Sequence, residues 1–314
     1  MKYYFAPLEG ITGYIFRSTY EKYYGGIDKY FAPFISPAEN SPMNPKERRD
    51  VLPENNTGIR LVPQILACKA CYFIDAANEL MDMGYKEINL NVGCPSGTVC
   101  AKGKGAALLG DTDKLMHFLD EVYEFGEAKS IKVSIKTRVG MYSPDEWEDI
   151  LDVYNRYPVY ELIVHPRVGK DYYNGTPRLE CFRYAKSYSQ NPLVYNGDLF
   201  YSEDVQKIPV DNDKVGALML GRGLLRNPEL IKNIRCDEKN DFTPDAGLLM
   251  KYCNELYSAY SESMSGERNL LFKMKGIWTY LGQSFPGKER ELKELLKSKS
   301  CAEYKVAVRK IIKN

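Results

Sequence analysis

The stretch "NLNVGCPSGTVCAKGKGAALL", residues 89–109, carries an apolar run that breaks at Gly93-Cys94-Pro95 and continues as a loop rich in lysine and glycine. Pro95 confines the residue before it to extended or turn geometry, which fixes the direction of the Cys94 thiol. Cys100 lies in the same loop and is the competing sulfur; Cys94 is preferred because a proline-fixed strand end is better located than a flexible loop. Further polar groups close other short apolar runs: Pro7-Leu8-Glu9-Gly10, Gln64, Asn91, Lys136 with Arg138, His165 with Arg167, Asn196-Gly197-Asp198, and Gly221-Arg222. Burial punishes such groups unless they are paired or used. An ammonium such as Lys136 is the costliest of them to leave idle. Gly221-Arg222-Gly223 joins backbone N–H groups to a guanidinium, a combination suited to a phosphate.

These residues need a frame. Eight short apolar runs, at 2–7, 29–35, 61–67, 87–92, 131–137, 161–166, 192–197 and 217–222, suit strands buried on both faces, as in a parallel sheet. Helical periodicity fills several gaps. In 69–85, Cys71, Ile74, Ala77, Leu80 and Met81 form one stripe, with Gly84 as a stop. Asp111 caps a helix that buries Leu115, Phe118, Leu119 and Val122, and Ser143-Pro144 opens another. Strands alternating with helices predict a (β/α)8 TIM barrel, with an open doubly wound sheet as the alternative. Around 237–245, "DEKNDFTPD" reads as a linker, and the rest of the chain is patterned as helix throughout. The expected organisation is a barrel over 1–236 and a small all-helical domain over 243–314.

In a barrel the loops at the C-terminal strand ends surround the active site, and every polar group named above falls there. A phosphate grip by the last strands, with a lysine, a glutamine and a histidine around a dry centre, suits FMN. The lysine would stabilise charge near N1 of a reduced flavin, and Asp198 suits a ribityl hydroxyl.

Composition excludes little but agrees. The 314 residues are 44% hydrophobic and 27% charged, ordinary for a globular protein, and no run of 18 apolar residues is present. Eight scattered cysteines contain a single C-x-x-C pair, Cys68 and Cys71, without the ligands that would complete a zinc site. Scattered thiols and a start without an apolar signal core predict a cytoplasmic protein. The net charge of +1 hides an asymmetry: residues 265–314 carry 12 Lys/Arg against 5 Asp/Glu, a balance of +7 that leaves −6 elsewhere. A basic tail on an acidic body suits a polyanionic partner.

The motifs resemble those of the tRNA-dihydrouridine synthases. "FAPLEGITGYIFR" is similar to the family's opening, residues 89–109 to its cysteine signature, and "SIKTRVG", "IVHPR", "PLVYNGDL" and "LMLGRGLLRNPEL" follow in the family's order. Three positions depart from it: Glu9 replaces a smaller residue, Gly13 stands where Asp is usual, and Pro166 where Gly is frequent. The resemblance implies an FMN barrel followed by a helical tRNA-binding domain, using NADPH or NADH as reductant. Carried over, it assigns Pro7, Leu8, Glu9, Gln64, Lys136, His165, Asn196, Gly197, Asp198, Gly221 and Arg222 to FMN. It assigns Cys94 to catalysis, and Asn91 and Arg138 to the target base. Uracil reduction needs a hydride at C6 and a proton at C5. A thiol with an ordinary pKa of about 8.5 is protonated at neutral pH, so Cys94 is expected to act as a general acid, not a nucleophile. The target nucleotide would be swung out of its stack, with Tyr172 or Tyr173 stacking nearby and Lys102 and Lys104 meeting phosphates. Alternatives are an FMN barrel acting on a free pyrimidine, as dihydroorotate dehydrogenase does, a Schiff-base lyase using Lys136, and a flavin-binding RNA chaperone. No obligate protein partner is evident, which predicts a monomer.

Overall fold

The computed structural model describes residues 1–210, 214–236 and 244–313. Nine strand pieces form one parallel sheet: β1 (Lys2–Phe5), β2 (Lys29–Phe31), β3 (Leu61–Val62), β4 (Gln64–Ile65), β5 (Glu87–Val92), β6 (Lys132–Arg138), β7 (Leu162–His165), β8 (Leu193–Asn196) and β9 (Val215–Leu220). Their order is β3-β2-β1-β9-β8-β7-β6-β5-β4. Because β3 and β4 are consecutive, the chain itself joins the two ends of the sheet, and the barrel closes.

The single strand expected over 61–67 is thus two. Pro63 has no N–H to give, so the ladder breaks there, although its carbonyl still accepts from Asn89 N at 2.9 Å. Pro33 has the same effect on the strand expected over 29–35. It stops at Phe31, and the chain returns to the sheet only as a bridge between Ile35 and Ile65.

The barrel interior is layered. Tyr4, Ala6, Phe31, Val62, Ile163, Val194, Ala217 and Met219 make a small apolar cluster, separate from the larger core beneath the helices. At the N-terminal strand ends a polar ring closes the floor. Lys29 Nζ donates to Glu87 Oε1 and Glu161 Oε2, both at 2.7 Å, and Tyr4 donates to Glu161 Oε1 at 2.7 Å.

Most helices follow their patterning. Asp111 caps Thr112–Ala128 by accepting from Lys114 N, and Leu115, Phe118, Leu119 and Val122 are buried. Ser143 opens a 3-10 turn, Pro144–Glu146, that leads into Trp147–Tyr154. The helix Ala70–Asp82 is rotated from expectation: Ala70, Phe73, Ala76, Ala77 and Leu80 are buried and Cys71 is exposed. Phe73 carries the largest apolar side chain of the segment, and burying it turns Cys71 outward.

Of the expected linker, residues 237–243 lie outside the described residues. Beyond it come the helices Ala246–Ser263, Glu267–Leu281, Glu289–Lys297 and Cys301–Lys313, with no strand among the described residues. Ala246–Ser263 packs on the first barrel helix, Tyr14–Tyr23, where Tyr252 meets Phe16 and Tyr24 edge-on with ring centroids 6.4 and 5.1 Å apart. The barrel's outer core and the core of the helical region are continuous through these rings.

Candidate active site

A cleft opens at the C-terminal strand ends. Pro7 and Leu8 line it after β1, Lys136 from β6, His165 from β7, Asn196, Gly197 and Asp198 from β8, and Gly221 and Arg222 from β9. Nine residues expected together from sequence therefore share one wall. Two backbone stretches come unusually close here. A Cβ on Gly223 would stand 2.0 Å from the Leu199 carbonyl, so only glycine lets the turn after β9 press against the turn after β8.

Lys136 makes no hydrogen bond or ion pair among the described residues. Burial, with Arg138 adding to it, lowers its pKa to about 8. His165 is held neutral, first by burial and then by Lys136, Arg138, Arg167 and Arg222. Its Nε2 faces Arg167 Nη1 at 3.1 Å, and a guanidinium only donates, so Nε2 accepts and the ring proton sits on Nδ1.

Asp198 is engaged within the wall: its oxygens accept from Arg167 at 3.0 and 2.6 Å and from Arg222 at 2.6 Å. Arg222 also lies under the Tyr173 ring, 4.4 Å from its centroid. The pair of arginines needs a counter-charge inside the wall, and Asp198 supplies one for both.

Five expected residues stand outside the cleft lining: Glu9, Gln64, Asn91, Arg138 and Cys94. Glu9 is exposed, 3.7 Å from Lys46 Nζ. Gln64 and Asn91 are buried beneath the cleft in a chain of amides. Asn91 Oδ1 accepts from Gly93 N and Cys94 N at 3.0 and 2.9 Å, and Asn91 Nδ2 donates to Gln64 Oε1 at 2.7 Å. Gln64 Nε2 donates to Asn89 Oδ1, and Asn89 Nδ2 to Ser134 Oγ. The chain ties the turn at Cys94 to the barrel interior. Arg138 is 2% exposed, with its donors given to the carbonyls of Gly93, Val168 and Tyr172 at 3.0, 2.7 and 2.6 Å. It locks two rim loops together.

Cys94 is half-buried, and burial raises its pKa above the ordinary thiol value despite the nearby charges of Lys136 and Arg138. A neutral thiol thus stands at the rim close enough to Lys136 for each to bear on the other's titration. Cys100 points its Sγ at the Cys94 carbonyl, 3.6 Å away, and so braces the turn. The following loop is folded and pinned. Lys104 Nζ donates to Ser36 Oγ and the Pro37 carbonyl at 3.1 and 3.0 Å, so it is engaged where a free phosphate contact was expected; Lys102 remains exposed.

Gly105 permits this fold. Its φ is +61°, and a Cβ there would stand 2.6 Å from the Cys94 carbonyl. Gly105→Ala is expected to cost about 1–3 kcal/mol and to loosen the turn that aims the thiol. A lower melting temperature together with faster alkylation of Cys94 checks this; unchanged values would show that the turn does not depend on it.

The helical region touches the same rim. Lys273 Nζ donates to the Gly10 and Ile11 carbonyls at 2.6 and 3.0 Å, bracing the turn that follows Pro7 and Leu8. Ser284 Oγ donates to the Arg226 carbonyl at 2.6 Å, at the end of the short helix that carries Arg222.

Fold and rim together define a (β/α)8 barrel enzyme-like scaffold with an anion-ready cleft and a neutral thiol beside it. The family model described as dihydrouridine synthase (Dus) matches residues 4–313, and the chain belongs to that family. A tRNA-dihydrouridine(16) synthase from Vibrio parahaemolyticus is 26% identical over 246 residues, covering 77% of this chain and 74% of that protein. A probable tRNA-dihydrouridine synthase from Staphylococcus epidermidis is 28% identical over 229 residues, covering 71% and 68%. Among solved structures, morphinone reductase superposes with a TM-score of 0.53 at 13% identity over 79% of this chain and 88% of that one. N-acetylneuraminate lyase from Mycoplasma synoviae gives 0.51 at 12% identity over 99% and 97%. These two likenesses speak to the barrel fold alone. No helix among the described residues is long and apolar enough to cross a membrane.

Proposed function

We propose that this protein reduces the C5–C6 double bond of uridine in tRNA to give 5,6-dihydrouridine, with FMN in the cleft and NADPH or NADH as the reductant. The observation that carries the reading is the neutral Cys94 thiol beside an unpartnered ammonium, at the edge of a cleft lined by Gly221 and Arg222. Family membership and the names of the relatives support the substrate. Residues 1–236 form the catalytic unit in this account, and 243–314 hold the RNA.

The residues present fit a flavin mononucleotide. Arg222 and the backbone about Gly221 suit its phosphate, Pro7, Leu8, His165 and Asn196 to Asp198 would hold its body, and Lys136 would supply the cation that a reduced ring needs. Glu9 stands at the margin, where its backbone alone would serve, and Gln64 supports the wall from below. When bound, the reduced flavin supplies a hydride for C6 of the pyrimidine. Cys94 supplies the proton: its S–H bond breaks as the C5–H bond forms, and the thiolate left behind takes a proton from solvent. Asn91 and Arg138 position that thiol, the first through its own amide N–H and the second through the Gly93 carbonyl. The target nucleotide must leave its stack to reach them.

Lys136 gives a test of the cofactor. Its folded pKa of about 8 lies below the value of about 10.4 for a free lysine, so carrying the charge costs stability. That cost is absent above the free value, grows as pH falls through the interval and is complete at neutral pH. Lys136→Met is therefore expected to leave the melting temperature of flavin-free protein at pH 7 unchanged or higher, while flavin affinity falls by roughly tenfold or more. A destabilised flavin-free variant with normal affinity would make the lysine structural.

A further inference from the structure

A second feature of the molecule lies outside the cleft lining, on the helix Glu267–Leu281. Phe272 is 83% exposed, the most exposed of the large apolar side chains among the described residues. A lone exposed apolar residue needs no explanation. Phe272 is set apart by its surroundings, a concave surface formed with Arg268, Asn269, Lys275 and Lys299. The one acid beside it, Glu267, is committed elsewhere: its Oε1 accepts from Cys301 N at 2.5 Å, at the start of the last helix. Lys275 donates to the Ser298 carbonyl and lies at the groove. An aromatic face is thus framed by three cations, in the part of the chain whose balance is +7.

The helix also has a fixed relation to the cleft. Its Lys273 and Gly276 lie against the Gly10-Ile11 turn, and Tyr280 is near enough to Tyr173 and Arg222 for them to bear on its hydroxyl. Phe272 and Gly276 are neighbours on the helix surface. From Phe272 to Tyr280 the rise is about 12 Å at about 1.5 Å per residue. The platform therefore sits beside the mouth, within one short stretch of nucleic acid.

We propose that Phe272 stacks on an unpaired base of the RNA substrate, with Arg268, Lys275 and Lys299 meeting the phosphates beside it. The inference rests on the proposed RNA substrate and adds a second point of grip to it. Flat aromatic faces take any base, and flanking cations attract the backbone. An apolar protein partner would gain nothing from three cations around the ring; a polyanion with π faces uses both.

The test uses the full-length, flavin-loaded protein with an unmodified tRNA transcript, comparing wild type with Phe272→Ala, Phe272→Leu and Phe272→Trp. Expected are a KM raised roughly tenfold or more in the Ala and Leu variants, kcat within about twofold, and flavin content unchanged. Phe272→Trp should match wild type, and its fluorescence should be quenched by the transcript; Trp147 and Trp278 are both buried and give a steady background. A KM unmoved in both the Ala and Leu variants overturns the proposal, as does full activity in the Leu variant, which would make the contact apolar and not stacked. Self-association of wild type that Phe272→Ala abolishes would also overturn it, in favour of a second copy of this chain. If wild type reduces no tRNA, the functional reading fails on its own. Quenching of Phe272→Trp by RNA would then still uphold the platform, and its absence would remove it.

Discussion

Replacing Cys94 by alanine is expected to lower uridine reduction by about 10^2 to 10^4-fold while flavin stays bound. The size follows from the role: a positioned proton donor is lost, and solvent must deliver the proton to C5. Flavin is spared because Cys94 lies outside the cleft lining. The pH profile carries the same signature. A donor works only while protonated, so its contribution falls as pH rises through its pKa, and burial moves that limit upward from the ordinary thiol value. Reduction by wild type should hold through neutrality with respect to this group, and Cys94→Ala should lose the alkaline limb that belongs to the thiol. Single-turnover oxidation of bound reduced flavin by tRNA, followed across pH in both proteins, measures it. A Cys94→Ala variant within a fewfold of wild type would remove the thiol from the chemistry.

Lys29→Met should destabilise the fold by about 3–5 kcal/mol, because it leaves Glu87 and Glu161 under the barrel without their shared cation. The side chains of Glu87 and Glu161 are 9% and 15% exposed, so water replaces the lost cation poorly at either. Arg60, 3.3 Å from Glu87, softens the loss at one carboxylate only. The effect is on stability and not on the reaction, since the ring sits at the end of the barrel opposite the cleft. Urea unfolding midpoints compare the two proteins. Replacing all three residues together by apolar ones of similar volume should recover much of the loss, and a triple variant as weak as the single one would contradict the account.

Much of this was legible in the sequence, for physical reasons that also mark its limits. The cleft residues could be placed because polar groups at the ends of strands buried on both faces have few other places to be. Their depth could not be read. Whether Gln64 or Asn91 reaches the mouth or stops beneath it depends on the stagger of neighbouring strands, and the register pairs Gln64 with Asn89, one layer down. Asn89 and Ser134 were missed although a signal was present. "EINLNV" and "KVSIKTR" alternate, which places Glu87, Asn89 and Asn91, or Ser134, Lys136 and Arg138, on one side of a strand. Reading these as uniformly apolar runs found the barrel and hid its polar column. The floor ring joins residues 132 positions apart and becomes visible only when the strand starts are aligned. Lys104 shows a further limit, since nothing in a basic loop announces its partners until Ser36 and Pro37 are folded against it.

In the proposed reaction one cleft and one thiol act together on a pyrimidine carried by RNA. Its most direct test is mass spectrometry of an unmodified tRNA transcript after incubation with the purified protein, FMN and NADPH. Expected are uridines that have gained the mass of two hydrogens, with at most about one hundredth as many in the Cys94→Ala reaction at the same early time. A protein that leaves the transcript unchanged, yet consumes NADPH with a free pyrimidine, would contradict it.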